Sequence, residues 1–176
     1  MSETITTIFS YGTILSHIVF IFILIACFFY KSFGRPIVLF IGKNSIAFGF
    51  LITLSAFVGS LVYSNYIGFI PCELCWWQRI FLYPQVVLFL VALYKHDEGV
   101  FKYVVPLSFL ALLISLYHTY IQLGGTTSVL PCTVTGAVCA KVYVLQFGYI
   151  TIPTMAVTVA LYVILLAFVR RLSIRI

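Results

Sequence analysis

Four of the five cysteines in this chain fall as two pairs, and both pairs sit where chemistry can happen. Cys72 and Cys75 form a Cys-x-x-Cys motif behind Pro71, and the chain runs from there into an apolar segment, Trp76 to Tyr94. Two thiols at this spacing can close a small disulfide, and thiols near a helix N-terminus tend to have lowered pKa values. Cys132 and Cys139 make a second pair in a polar stretch. Arg79 follows Cys75 by four residues, so on a helix it shares a face with that sulfur and lies about 6 Å further along the axis. A cation at that depth in an apolar segment is costly and marks a functional site by default. His118 is a second ionisable side chain inside an apolar stretch. A dithiol facing water, with a cation just inside the bilayer beneath it, suggests electrons passing between a protein and a lipid-dissolved acceptor.

The elements that must position these residues are membrane helices. Hydrophobic residues make up 63% of the chain and charged ones 8%, against about 45–50% and 25% in ordinary globular proteins. A soluble domain is thereby excluded. The formal charge of +6 comes from ten Lys and Arg scattered singly beside apolar segments, which fits topology signals better than a nucleic-acid patch. Five segments are long enough to cross a bilayer core of roughly 30 Å: about Ile8 to Tyr30, Asn44 to Tyr63, Trp76 to Tyr94, Tyr103 to Gln122, and Ile152 to Arg170.

The first segment lacks the basic n-region and small-residue cleavage site of a signal peptide, so it reads as an uncleaved span. Cys27, near its inner end, reads as a packing residue. Pro36 to Gly42 is apolar but too short to span, and is expected at the interface. Small residues at Gly49, Ser55, Ala56, Gly59 and Ser60 suit close helix packing. Tyr63, Tyr66, Trp76 and Trp77 are expected to form an aromatic belt, and Pro84 to kink the third span. Lys31, Arg35, Lys43, Lys95, Lys102, Arg170, Arg171 and Arg175 all fall on one side of this arrangement, while Arg79 and Lys141 do not. The positive-inside rule then puts the N-terminus outside, the C-terminus in the cytoplasm and both cysteine pairs on the extracytoplasmic side, where disulfides persist.

Residue types alone leave several readings open. The four paired cysteines can supply a four-thiolate metal site, although Arg79 nearby would repel a cation. Each pair can also be a plain structural disulfide. Two pairs on one face, one of them beside the bilayer, favour a relay by thiol–disulfide exchange. His118 alone reads as an interhelical hydrogen-bonding residue. Taken with Arg79, it can flank a quinone head group, whose carbonyls accept hydrogen bonds and gain negative charge on reduction. Gln78, Gln85 and Gln122 lie nearby with no role that the sequence assigns.

Pro-Cys-Glu-Leu-Cys-Trp-Trp-Gln-Arg-Ile at 71–80, the Tyr117-His118 pair, the Pro131-Cys132…Cys139 loop and Phe147-Gly148-Tyr149-Ile150-Thr151-Ile152-Pro153 resemble the DsbB/BdbC family of membrane disulfide-bond formation proteins, nearest the short BdbC-like branch. The resemblance covers about Asn44 to Val169. It implies an all-α membrane protein whose last four spans (44–176) form an antiparallel four-helix bundle. Residues 1–43 then supply an additional helix and inner loop. It also implies reoxidation of a thioredoxin-like partner of the DsbA/BdbD type outside the bacterial cytoplasmic membrane, with electrons passed to ubiquinone or menaquinone. By position, Cys72 and Cys75 match the quinone-proximal pair, Cys132 and Cys139 the pair that meets the partner, and Arg79 and His118 the quinone site, with no metal. The second cysteine loop is shorter than in the proteobacterial type. A vitamin K epoxide reductase-like enzyme also couples paired cysteines to quinones, but the arginine after Cys-x-x-Cys argues against it. Readings from another class are a metal-binding membrane protein and a transporter subunit.

Overall fold

The chain is described by a computed structural model covering residues 2–125 and 139–175. Six α-helices carry it: α1 (Ser2–Phe28), α2 (Arg35–Lys43), α3 (Ser45–Leu61), α4 (Glu73–Lys95), α5 (Phe101–Gln122) and α6 (Ile152–Arg175). All but α2 are long and apolar enough to cross a membrane. No strand occurs among the described residues, and the backbone of each long helix satisfies its own hydrogen bonds, as hydrocarbon demands. Helix α4 runs through Pro84 without a break.

An apolar exterior covers an interior in which polar side chains are mixed with apolar ones. Leucines, phenylalanines and valines cover the outside, while Thr53, Gln78, Gln85, Ser108, Ser115 and His118 are buried between helices. Lipid rewards apolar surface, so close contact is left to small residues and to hydrogen bonds. Ser108 donates to Gln85 Oε1 at 3.0 Å and so ties α5 to α4. Gly49 of α3 lets the fully buried ring of Phe89 on α4 approach so closely that a Cβ there would stand 2.5 Å from it. Helices α3, α4, α5 and α6 pack in sequence order, and α6 returns to α3 to close the bundle.

The segment expected at the interface is helical, and it packs. A π-helical turn, Tyr30–Gly34, reverses the chain after α1 and leads into α2. Val38 and Gly42 of α2 are buried, and Arg170 of α6 donates to the Gly42 carbonyl at 3.1 Å. Arg170 also pairs with Glu98 of the α4–α5 connection. Cys27 is buried with Ile23, Val38, Tyr162, Leu165 and Val169, a packing role. Trp76, Trp77 and Tyr66 are exposed. Tyr63 is buried instead, held against Phe9 of α1 and Phe69.

Helix α6 begins at a built corner. Phe147 and Gly148 both take positive φ, and Ile150 N–H donates back to the Gln146 carbonyl at 2.9 Å. Thr151 then caps the helix through the Thr154 amide, and Ile150 and Thr151 are buried, which anchors the end of the second cysteine loop to the bundle.

Candidate functional site

Pro71 and the extended backbone at Cys72 (φ −77°, ψ 175°) stop the chain from joining α4 early, so Cys72 becomes the N-cap of α4. Cys75 then lies in its first turn, beside the positive end of the helix dipole. Both are free thiols, with the sulfurs 3.3 Å apart. Cys72 is buried and Cys75 half-buried.

A third group closes on this pair. His118 of α5 is 1% exposed, and its Nε2 stands 3.6 Å from the Cys72 sulfur and 3.2 Å from the Cys139 carbonyl. Its Nδ1 meets the Gln78 side-chain amide at 3.1 Å. With Gln78 donating to Nδ1, the ring proton lies on Nε2 and faces both the sulfur and the carbonyl. The Cys72 thiol is held well below the ordinary thiol range. The hydrogen bond from Cys75 is the main cause, His118 adds to it, and burial opposes it. Cys72 is therefore the thiolate of the pair.

Arg79 lies one turn beyond Cys75 on α4, where its side chain meets α3. Its Nε donates to Ser60 Oγ at 3.1 Å and its Nη2 to the Ser60 carbonyl at 3.3 Å. Tyr83 donates to Ser60 Oγ at 3.0 Å. The guanidinium lies 5.1 Å from the Trp76 ring centroid and 5.9 Å from that of Tyr83. Among the described residues the only ion pair is Arg170–Glu98, so no carboxylate neutralises Arg79. An uncompensated cation held at the bilayer boundary is a standing site for a group that carries or develops negative charge.

Cys72, Cys75, Arg79 and His118 all line one cavity of about 1130 Å³. Its walls are largely apolar side chains of α1, α3 and α6, and Gln122, whose buried Oε1 has no hydrogen-bond partner among the described residues, also reaches it. Cys139 is disulfide-bonded and buried in the same cluster as Cys72, Leu74 and Ile121. Its loop is tied to the bundle where Gln122 Nε2 donates to the Lys141 carbonyl at 3.2 Å. Cys132 lies outside the described residues. Sequence reasoning found the cysteines, Arg79 and His118 but assigned nothing to Gln78, and took Ser60 for a packing residue. The spacing of Cys75, Gln78 and Arg79 at i, i+3 and i+4 was the available signal for Gln78. For Ser60, which acts from another helix, there was none.

The model of the family "Disulfide bond formation protein DsbB" matches residues 42–170. The chain belongs to the DsbB family of disulfide bond formation proteins. It is 39% identical over 127 residues to disulfide bond formation protein C of Bacillus subtilis, covering 70% of this chain and 91% of that one. It is 34% identical to probable disulfide formation protein C 2 of Bacillus anthracis, over 76% of this chain and 94% of the relative. The SPbeta prophage-derived disulfide bond formation protein B of Bacillus subtilis is 43% identical, over 61% of this chain and 72% of its own length. No solved structure matches the chain. As a DsbB-family protein it is a multi-pass membrane thiol–disulfide oxidoreductase. Helix α1 lies wholly outside the matched region.

Proposed function

We propose that this protein reoxidises a thioredoxin-like dithiol protein outside the cytoplasm and passes the electrons to a membrane quinone. The observation that carries the reading is the position of the Cys72–Cys75 pair. On one side Cys72 is packed against disulfide-bonded Cys139 at the base of the outer loop, and on the other both cysteines open onto an apolar cavity that holds Arg79. A relay between water and bilayer needs a dithiol at that boundary.

The chemistry balances in three exchanges. A partner dithiol reduces the Cys132–Cys139 disulfide, becoming a disulfide itself. The resulting thiols reduce a Cys72–Cys75 disulfide. The Cys72–Cys75 dithiol is then reoxidised, giving up two electrons and two protons. A quinone bound in the cavity supplies the acceptor for that last step and leaves as quinol. The site fits such a group: its walls are apolar, and Arg79 presents unneutralised N–H donors to a carbonyl oxygen. Within this scheme His118 stabilises the Cys72 thiolate, since both of its ring nitrogens are engaged by Cys72, Gln78 and the Cys139 backbone. Ser60, Tyr83 and Trp76 fix the plane of the Arg79 guanidinium. The sidedness rests on the eight basic residues at the opposite ends of the helices.

A second reading has one observation in its favour: the donor atoms of Cys72, Cys75 and His118 lie within 4.8 Å of one another, close enough to hold a soft metal ion. One anaerobic experiment separates the two. Purified protein is mixed with a reduced thioredoxin-like oxidase and a soluble ubiquinone or menaquinone analogue, while quinone absorbance and bound metal are followed. Quinone reduction is expected to require the partner dithiol and to stop in Cys139→Ala; given the oxidised partner instead, that variant is expected to hold a mixed disulfide, formed when the Cys132 thiolate attacks the partner's disulfide and releases one partner thiol. One tightly held metal per chain without quinone reduction would replace the proposed function with the metal reading.

A further inference from the structure

Helix α1 lies outside the matched family region. Its attachment is uneven. On the α6 side it is bonded: His17 Nε2 meets Thr158 Oγ1 at 2.9 Å, the Tyr149 hydroxyl meets His17 Nδ1 at 3.4 Å, and Tyr162 donates to the Ser16 carbonyl. On the α3 side the bridge is aromatic and lies at the end nearest the cysteines, where Phe9 packs on Tyr63 with ring centroids 5.5 Å apart. Below that bridge α1 and α3 stand apart, and the cavity that holds Cys75 and Arg79 continues down between them to Phe40 and Phe48. From Ser60 to Phe48 this is roughly 18 Å along the α3 axis.

The thiols, the cation and the imidazole gather at the Cys75 and Arg79 end, while the continuation is lined by apolar groups such as Val19, Ile52, Ala56 and Val159 and by hydroxyls of Thr13, Ser16, Ser55, Thr158 and Tyr162 that already bond backbone carbonyls. A ligand with a polar head and a long apolar tail matches that division. Gly12 sits on the α1 wall of the slot, and a Cβ there would meet nothing within 4 Å. Here α1 holds open space instead of filling it.

We propose that α1 is the outer wall of a tail slot: it holds the isoprenoid chain of the quinone whose head group lies at Arg79, and so sets how strongly this protein prefers long-tailed over short-tailed quinones. This rests on the quinone reading above. A bilayer lipid chain would fill the slot equally well in size, but the slot's continuity with the Cys75 and Arg79 end favours a molecule with its reactive head there. Without α1 the tail would face annular lipid on that side and gain little from the protein.

The test measures equilibrium binding of a long-chain and a short-chain ubiquinone, and of a long-chain menaquinone against menadione, by quenching of the fluorescence of Trp76 and Trp77. Full-length protein in nanodiscs is used as wild type, Gly12→Phe and Ile18→Phe. Gly12→Phe puts a ring into open slot space, while Ile18 faces outward and is 60% exposed, which makes it the matched control. The wild type and Ile18→Phe are expected to prefer the long tail. In Gly12→Phe that preference should fall severalfold, since a ring in the slot moves the tail out to annular lipid and forfeits its van der Waals contacts with the slot walls. Binding of the short analogues should be unchanged, which also shows that the variant is folded. An unaltered long-tail preference in Gly12→Phe, or a co-purified phospholipid that long-chain quinone does not displace, would overturn the role of α1 and leave the quinone reading intact. Failure of the wild type to bind any quinone would overturn both.

Discussion

Replacing His118 by Ala tests the part of the site that the structure changed most. The imidazole is buried, and its Nε2 stands 3.6 Å from the Cys72 sulfur. A hydrogen bond to a charged acceptor contributes about 1.5–3 kcal/mol. Because the same nitrogen also faces the Cys139 carbonyl at 3.2 Å, the lower end of that range applies. At about 1.4 kcal/mol per unit, the Cys72 pKa should rise by about one unit. The Cys75 hydrogen bond, the larger cause, remains, so the thiol should still titrate below the ordinary range. In the wild type the lowered pKa means that the thiolate persists as pH falls below the usual thiol range and is lost only near the lowered value. In His118→Ala that loss should begin at higher pH. The assay is thiolate absorbance against pH, with the Cys139 disulfide left intact. His118→Ala also strands the buried Gln78 amide and costs stability, so Gln78→Leu is the control: it breaks the 3.1 Å Gln78–His118 contact but keeps an imidazole beside Cys72. Gln78→Leu should lower stability with a smaller shift in the titration. A His118→Ala titration that coincides with that of the wild type would show that His118 is only a packing and hydrogen-bonding residue.

Arg79→Ala should lower the rate of quinone reduction by about 10²–10³, the usual cost of losing a preorganised donor to developing negative charge. Arg79→Lys should be impaired less, since it keeps the charge but cannot span Ser60 Oγ and the Ser60 carbonyl together. Exchange between the two cysteine pairs, measured separately, should survive both changes, and normal quinone reduction in Arg79→Ala would remove Arg79 from the mechanism. Gly49→Leu should destabilise the bundle by about 1–3 kcal/mol from overpacking against Phe89, outweighing a helix-propensity gain of about 1 kcal/mol. Unfolding curves unchanged from wild type would contradict the α3–α4 packing.

The membrane class, the five spans and the closeness of Cys72 to Cys75 were legible in the sequence because each rests on a local or cumulative property. Long apolar runs must become helices in hydrocarbon whatever surrounds them. Pro71, Cys72 and Cys75 lie within one turn, so their relation is fixed by the chain itself, and the same holds for the shared face of Cys75 and Arg79. Cys132 falls outside the described residues, so its part remains a proposal from sequence position and family resemblance.

What the linear order left open was every relation between helices. The sequence placed His118 with Arg79, and both line one cavity, but that the imidazole also bonds Cys72 and Gln78 depends on how α5 packs on α4, a matter of helix rotation that near-uniform hydrophobicity does not encode. Ser60 looked like one of several small residues on α3, and only the α3–α4 crossing makes it the partner of Arg79. Tyr63 had the composition of a belt residue, but Phe9 of the additional helix covers it. Helix α1 is the clearest case. Its own residues say that it spans, but its function depends on which neighbour it bonds and which it leaves apart. Those distances are set by His17 meeting Thr158 and Tyr149, each more than a hundred positions from it, once the bundle has closed.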